Sequence, residues 1–204
     1  MVHFFIESKN DSTPEYVFLK KYIQKIRPEL DFNLVPMDGI GNLFNNSIKT
    51  MMQLHSSKQE KNIVIVDTDY PENNGGFAYR SKSIADQART AGLTFELFLF
   101  PNNSADGIFE NLLESIARTD KHKLFFDCFS DYENCMKSQK DSDGKPIYQV
   151  PNLKGKLHTY ITAVPMPQKL RKNLGRGNWQ FENKDYWDMD SSALEPLRNF
   201  LLKI

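Results

Sequence analysis

Three acidic residues of the chain have the type and placement that metal-dependent chemistry requires. Asp67 and Asp69 follow an apolar run, residues 62–66, that has the composition of a buried strand. Glu7 ends a similar run at residues 3–6. Because strand side chains alternate with a period of two, the two aspartates can project the same way. Crowded carboxylates raise each other's pKa, and a hard divalent cation relieves the repulsion. The pattern predicts a Mg²⁺ site that also accepts Mn²⁺.

Each of these acids taken alone has a simpler explanation. An aspartate at the end of a strand often forms a turn or caps the next helix. A single glutamate such as Glu7 is more often a plain surface acid than a ligand. The combination is more informative, because an apolar strand that ends in Asp-Thr-Asp accompanies a first strand that ends in Glu.

The elements that must position these acids alternate regularly over the first 118 residues. Strand-like runs are predicted at residues 3–6, 31–36, 62–66 and 94–100, and helical patterns follow at 14–27, 43–55, 79–91 and 108–118. This alternation predicts an α/β fold with a parallel, doubly wound sheet of about four strands and helices on both faces. Ligands of such sheets bind beyond the carboxyl ends of the strands, where the three acids fall.

The alternation stops near residue 120. We therefore expect an α/β core at residues 1–119 and, at 120–204, a C-terminal helical and irregular extension that packs on it. Within the extension the patterns predict a helix at 121–136, a short helix or strand at 155–163 and a final helix at about 192–202.

The extension carries a basic stretch in a chain whose formal net charge is zero. Residues 138–180 hold eight basic residues and two acidic ones, and aromatic residues lie at its end and just beyond. Basic and aromatic residues together are typical of surfaces that bind single-stranded nucleic acid. The predicted nucleic-acid contacts are Lys154, Lys156, Arg171, Lys172 and Arg176. The alternative is that the charges are merely solvated and the aromatic residues form the core of the extension.

Further acids could complete a second metal site beside the first. Asp11 lies in the loop after Glu7, and Asp106 and Glu110 follow the fourth predicted strand. In a two-metal arrangement, such residues hold two metal ions. The ions then stabilise the attacking and the leaving oxygen of a phosphodiester. The alternatives are a helix cap for Asp106 and a solvated helix face for Glu110.

Four short motifs, in this order, resemble those of Toprim domains. They are Phe5-Ile6-Glu7, Asp38-Gly39, Ile65-Val66-Asp67-Thr68-Asp69 and Phe98-Leu99-Phe100-Pro101-Asn102. In detail the chain is similar to small stand-alone bacterial proteins of unknown function that are related to the OLD-family nucleases. The resemblance covers roughly residues 3–118.

This resemblance implies a role for each matching position. Asp67 and Asp69 would bind Mg²⁺, with Asp67 the more direct ligand. Glu7 would be a further ligand or the general acid/base of phosphodiester chemistry, and Gly39 would allow a tight backbone turn at the site. The chain departs from the pattern at Ser8, where many Toprim domains have glycine.

The sequence thus favours a Mg²⁺-dependent, nuclease-like enzyme that acts on the phosphodiester bonds of nucleic acid. One alternative is a non-catalytic Toprim-like module that binds a nucleotide or a partner protein such as an ATPase. The other is a receiver-like or Rossmann-like domain whose acids serve other purposes, although no glycine-rich dinucleotide motif follows the first strand.

The remaining features indicate an ordinary cytoplasmic protein. The N-terminus lacks the pattern of a signal peptide, and no apolar run is long enough to span a membrane. Cys128 and Cys135 have no CxxC spacing and are expected to be free thiols. The four histidines show no spacing typical of a metal site in the sequence.

Overall fold

A four-stranded, fully parallel sheet forms the centre of the computed structural model, which describes residues 1–204. The strands are β1 (Val2–Ile6), β2 (Phe32–Pro36), β3 (Lys61–Asp67) and β4 (Glu96–Phe100), and their order in the sheet is β2-β1-β3-β4. The two central strands, β1 and β3, are therefore neighbours, with Ile6 opposite Ile65. This register brings the residues that follow both strands to the same edge of the sheet.

Eight α-helices connect the strands and form the C-terminal part of the chain. They are α1 (Pro14–Ile26), α2 (Asn46–Ser57), α3 (Phe77–Ala91), α4 (Phe109–Ile116), α5 (Lys123–Ser138), α6 (Leu153–Ala163), α7 (Gln168–Arg171) and α8 (Glu195–Leu202). The structure confirms the α/β class, and residues 155–163 are helical. None of the helices combines the length and the apolarity that crossing a membrane requires.

Two apolar cores cover the two faces of the sheet. Alternate strand residues such as Phe4, Ile63 and Phe98 face a large core that also takes buried residues from α1, α4, α6 and α8. The intervening residues, among them Phe5 and Val64, face a smaller core with α2 and α3. Because β1 and β3 are apolar on both faces, both sides must be covered, and the sheet is doubly wound as predicted.

Local capping explains where the first two helices begin. The Thr13 hydroxyl accepts a hydrogen bond from the backbone N–H of Tyr16, and Pro14 occupies the first helical position of α1, as its sequence predicts. Helix α2 begins later than predicted, at Asn46, because the Asn45 side chain caps it by accepting from the N–H of Ile48 at 2.8 Å. The preceding residues, Ile40–Asn42, form a 3₁₀ turn instead.

The aromatic residues of the C-terminal extension belong to the large core. Trp179, Phe181, Tyr186 and Trp187 are all buried, and the indole N–H of Trp187 donates to the carbonyl of Trp179 at 2.7 Å. They lie in one cluster with residues of α1 and the sheet. Of the two expectations for these residues, packing in the core is the one that the structure supports, so they offer no surface on which bases could stack.

One glycine fixes the C-terminal extension against the start of α1. Gly177 has a φ of +69°, and a Cβ placed on it would lie 2.4 Å from the backbone carbonyl carbon of Thr13. Neither the conformation nor the space suits a side chain. Because Thr13 and Pro14 also line the cavity described below, Gly177 holds the extension beside that cavity.

We expect Gly177→Ala to lower the free energy of unfolding by about 2 kcal/mol or more, because it adds both a steric clash and backbone strain. Urea denaturation would measure the change. Gly175→Ala is the matched control, since a Cβ at Gly175 meets nothing within 4 Å and its φ is not positive. Equal losses in the two variants would contradict the close packing of Gly177.

Candidate metal-binding pocket

An acidic cavity of about 260 Å³ lies at the carboxyl edge of the two central strands. Four carboxylates line it, namely those of Glu7, Glu15, Asp67 and Glu110. The only basic side chains along its wall are Lys9 and Lys154. The sequence placed Glu7, Asp67 and Glu110 near one another, and the structure brings all three to this cavity.

Backbone N–H groups hold Glu7 at the end of β1. Its carboxylate accepts hydrogen bonds from the N–H of Asp67 at 3.2 Å and from the N–H of Ile40 at 3.3 Å. The turn that presents Ile40 requires Gly39, whose φ is +101° and whose N–H donates to the carbonyl of Glu7. Gly39 thus forms a tight backbone turn beside Glu7. Burial raises the pKa of Glu7 against the lowering effect of these two donors.

Asp67 is the last residue of β3 and is half-buried at the sheet edge. One of its oxygens accepts from the backbone N–H of Phe109, the first residue of α4, at 2.8 Å. Burial raises the pKa of Asp67 well above its usual range, and the charges of Glu7, Glu15 and Glu110 raise it further. A carboxylate in these surroundings needs a proton or a cation as its counter-charge.

Glu15, in the first turn of α1, is the member of the cavity that the sequence did not reveal. One carboxylate oxygen accepts from the Ser8 hydroxyl at 2.8 Å, and the other is buried with no hydrogen-bond partner. Burial raises the pKa of Glu15 to about 8. An acid in the first turn of a helix is so common that Glu15 carries no distinguishing signal. Ser8, by contrast, was marked as a departure from the Toprim pattern, and here it binds Glu15.

Asp69 does not line the cavity with Asp67. Strand β3 ends at Asp67, and Asp69 adopts a left-handed conformation with a φ of +58°. Its carboxylate pairs with the guanidinium of Arg80 on α3 at 2.6 Å. The period of two that would have aligned the two aspartates does not extend beyond the strand. Asp69 nevertheless lies close enough that its charge raises the pKa of Glu7.

We expect Arg80→Gln to destabilise the metal-free protein by about 1–2 kcal/mol, because it leaves the Asp69 carboxylate without its charged partner. The Arg80 side chain is 16% exposed, so solvent compensates only partly. Chemical denaturation in EDTA would measure the loss. Arg89→Gln, which removes an exposed ion pair with Asp86, should change stability by less than about 0.5 kcal/mol. A comparable loss in both variants would show that the Arg80 pair has no special role.

The other predicted second-site acids lie apart from the cavity or on its wall. Asp11 is exposed and accepts from the hydroxyl of Ser12 at 3.1 Å. Asp106 accepts from the backbone N–H of Phe77 at 2.6 Å, so it binds the start of α3 rather than capping α4. Only Glu110 joins the cavity, where it is 8% exposed and not on a solvated helix face.

The five predicted nucleic-acid contacts have different surroundings. Lys154 reaches Glu110 at 3.4 Å and Lys156 pairs with Glu114 at 2.7 Å, both from α6. Arg171 donates to the backbone carbonyls of Thr162 and Val164. Lys172 and Arg176 are exposed and form no ion pair. Of the five, Lys172 and Arg176 are the two whose charged groups have no partner within the chain.

A larger cavity, of about 400 Å³, lies elsewhere, between α1 and the C-terminal extension. Its walls mix charges of both signs, and Lys21 and Lys25 pair there with Glu182 and Asp190. The charges of this larger cavity are therefore paired, whereas the smaller cavity concentrates acids. The smaller cavity is the better candidate for a metal site.

The fold and the cavity define a class of protein: an α/β domain with a doubly wound parallel sheet and an acidic pocket at the carboxyl ends of its central strands. Within that class the chain belongs to the family described as "Protein of unknown function (DUF3226)", whose model matches residues 2–204. No curated protein and no solved structure matches the chain.

Proposed function

We propose that this protein is a Mg²⁺-dependent, nuclease-like enzyme that acts on phosphodiester bonds of nucleic acid. The observation that carries the proposal is the convergence of four carboxylates on one cavity that has two lysines on its wall. Burying so many acids together costs free energy unless a cation compensates them. A cost of this kind is typical of functional sites.

The donor atoms of the cavity fit a hard divalent cation. All four acidic side chains offer oxygen, no histidine or cysteine lines the cavity, and one oxygen of Glu15 is buried with no partner. Mg²⁺ and Mn²⁺ prefer such oxygen ligands, and Mg²⁺ keeps several waters beside one or two carboxylates. Asp67 and Glu7 would hold the ion, and Glu110 and Glu15 would be available to a second one.

Phosphodiester chemistry gives each of these groups a task. Bound Mg²⁺ supplies positive charge that polarises the phosphate and activates a water. Glu7, whose carboxylate two backbone N–H groups already hold in place, would fix the position of this ion beside Asp67. Lys154, already beside Glu110, would contact an incoming phosphate oxygen.

The basic part of the extension would guide the strand towards the cavity. Arg176 directly precedes Gly177, whose backbone packs against Thr13 on the cavity wall. Arg176 and Lys172 are both exposed and form no ion pair, and such charges supply most of the affinity for a phosphate backbone. The buried aromatic residues make no contribution, so we expect binding through phosphates rather than through stacked bases.

The Arg80–Asp69 ion pair favours a second candidate, a non-catalytic module that binds a nucleotide or a partner protein such as an ATPase. Because Arg80 occupies Asp69, one of the two aspartates implied as ligands is withheld from the metal. A site with fewer ligands would bind a metal–nucleotide complex without completing the arrangement for cleavage.

The test is to incubate the purified protein with plasmid, single-stranded DNA, RNA and bis(p-nitrophenyl) phosphate, each with Mg²⁺, Mn²⁺ or EDTA. We expect metal-dependent cleavage of at least one nucleic acid and its loss in Glu7→Gln. Asp11→Asn, which changes an exposed acid outside the cavity, should retain activity. Metal-dependent binding without cleavage of any substrate would contradict the proposed enzyme activity and would support the non-catalytic binding module.

A further inference from the structure

Two histidines and a glutamate come together at the opposite edge of the sheet from the acidic cavity. His3 lies near the start of β1, His55 in the last turn of α2, and Glu60 directly before β3. One ligand atom from each lies within 4.8 Å of the other two. Since His3 and Glu7 are four strand residues apart, this group lies roughly 13 Å from the cavity.

The hydrogen bonds around His55 leave one of its ring nitrogens free to act as a ligand. The amide nitrogen of Asn62 donates to the carbonyl of Met52 and to the hydroxyl of Ser56, so the amide oxygen faces His55. That oxygen lies 3.1 Å from Nδ1 of His55 and can only accept, so Nδ1 carries the proton. In the neutral ring the lone pair is then on Nε2. Metal-binding histidines are commonly oriented by this kind of second hydrogen bond.

The His3 side chain is buried but incompletely bonded. Its Nε2 lies 2.9 Å from a carboxylate oxygen of Glu60, and its Nδ1 is buried with no partner. The distance from Nε2 to the carboxylate is slightly less than the roughly 3.3 Å that separates two ligand atoms on one tetrahedral zinc. The His3 side chain is 7% exposed and that of Glu60 is 22% exposed, so the group is reached from the Glu60 side.

We propose that His3, His55 and Glu60 form a binding site for a transition-metal ion of the Zn²⁺ class, with two imidazole nitrogens, one carboxylate oxygen and an open position for water. Imidazole ligands distinguish this site from the all-oxygen cavity and select zinc-like ions over Mg²⁺. The two rings are stacked with centroids 3.4 Å apart and an interplanar angle of 11°. A metal lies in the plane of each ring that binds it, so binding turns one ring out of the stack.

Such an ion would join three segments of the chain. It would connect the start of β1, the end of α2 and the residue before β3. The expected consequence is structural: Zn²⁺ at about 100 times its Kd should raise Tm by roughly 5–10 °C. The inference is independent of the proposed nuclease activity.

The experiment is a titration with Co²⁺, followed by displacement with Zn²⁺, in a background with Asp67→Asn and Glu15→Gln, which removes a proposed ligand of each ion in the acidic cavity. We expect one equivalent of Co²⁺ to give the visible absorption of a four-coordinate ion, together with the rise in Tm. Glu60→Gln changes a partly exposed residue and should preserve the fold, and His55→Gln tests a second ligand. Each should weaken binding at least tenfold. Unchanged affinity in both folded variants, or no Co²⁺ binding by the parent, would overturn the proposal.

Discussion

Asp67→Asn is expected to lower Mg²⁺-dependent cleavage by about 10³-fold or more and, at the same time, to stabilise the metal-free protein. The loss follows because this carboxylate would hold the ion that stabilises charge in the reaction. The gain follows because Glu7, Glu15 and Glu110 repel the buried charge of Asp67. An asparagine oxygen still accepts the hydrogen bond from the N–H of Phe109, so no buried donor is left unpaired. We expect a gain of about 1–3 kcal/mol at pH 8 in EDTA.

Asp69→Asn is the matched control for this variant. It removes the partner of Arg80, so it should destabilise the metal-free protein where Asp67→Asn stabilises it. Chemical denaturation with and without Mg²⁺ would compare the two variants alongside the cleavage assay. If Asp67→Asn destabilised the metal-free protein, or retained its Mg²⁺-dependent stabilisation, Asp67 would not be the ligand that we infer.

The stability of the metal-free protein should fall as pH rises, because burial raises the pKa of Glu7, of Asp67 and of Glu15. The pKa of Glu15 is about 8 in the folded protein, against an ordinary value of 4.5 for the unfolded chain, so the folded state binds more protons between these values. The contribution is fully present below pH 4.5, is lost as pH rises towards 8, and changes little above 8. For Glu15 alone the slope is at most about 1.4 kcal/mol per pH unit, and the total is of order 5 kcal/mol.

Glu15→Gln should make this slope shallower, because the amide mimics the protonated acid and can still accept from the Ser8 hydroxyl, while Glu7 and Asp67 keep their contributions. The difference in unfolding free energy between variant and wild type should therefore grow from pH 5 to pH 8 in EDTA. Glu72→Gln, at an exposed residue, should leave the slope unchanged. A constant difference for Glu15→Gln across this range would mean that Glu15 is ionised throughout.

The adjacency of Glu7 and Asp67 could be predicted because it depends on strands. Apolar runs of strand length marked β1 and β3, and the alternation with helices indicated a parallel sheet in which both carboxyl ends lie at one edge. The pairing of β1 with β3 was needed to place the two acids together, and the structure has this pairing. The turn at Gly39 was implied by the resemblance to Toprim domains, and the positive φ of Gly39 suits such a turn.

The parts of the site that depend on loops and on distant helices could not be predicted. Asp69 lies two residues beyond Asp67, but its left-handed backbone turns it towards Arg80, eleven residues further along the chain. Glu15 lines the cavity together with residues of the loop after β1, where the Ser8 hydroxyl donates to its carboxylate. Neither the orientation of Asp69 nor the position of Glu15 corresponds to a periodic pattern in the sequence, because tertiary contacts determine both.

The partners of the charged residues in the basic stretch could not be predicted from the sequence either. Composition placed eight basic residues between 138 and 180, yet three of the five chosen contacts are engaged within the chain, at Glu110, at Glu114 and at two backbone carbonyls. A sequence shows the sign of a charge but not its partner. Burial of the nearby aromatic residues likewise depends on how the extension packs on α1.

A crystal of this protein soaked with Mn²⁺ would test the central claim most directly, because the anomalous signal of manganese locates the ion without reference to activity. We predict a peak between the carboxylates of Glu7 and Asp67, with the nearest oxygens at about 2.0–2.4 Å. A second peak beside Glu110 would extend the account to two metals. Clear density for both carboxylates with no manganese peak between them would contradict it.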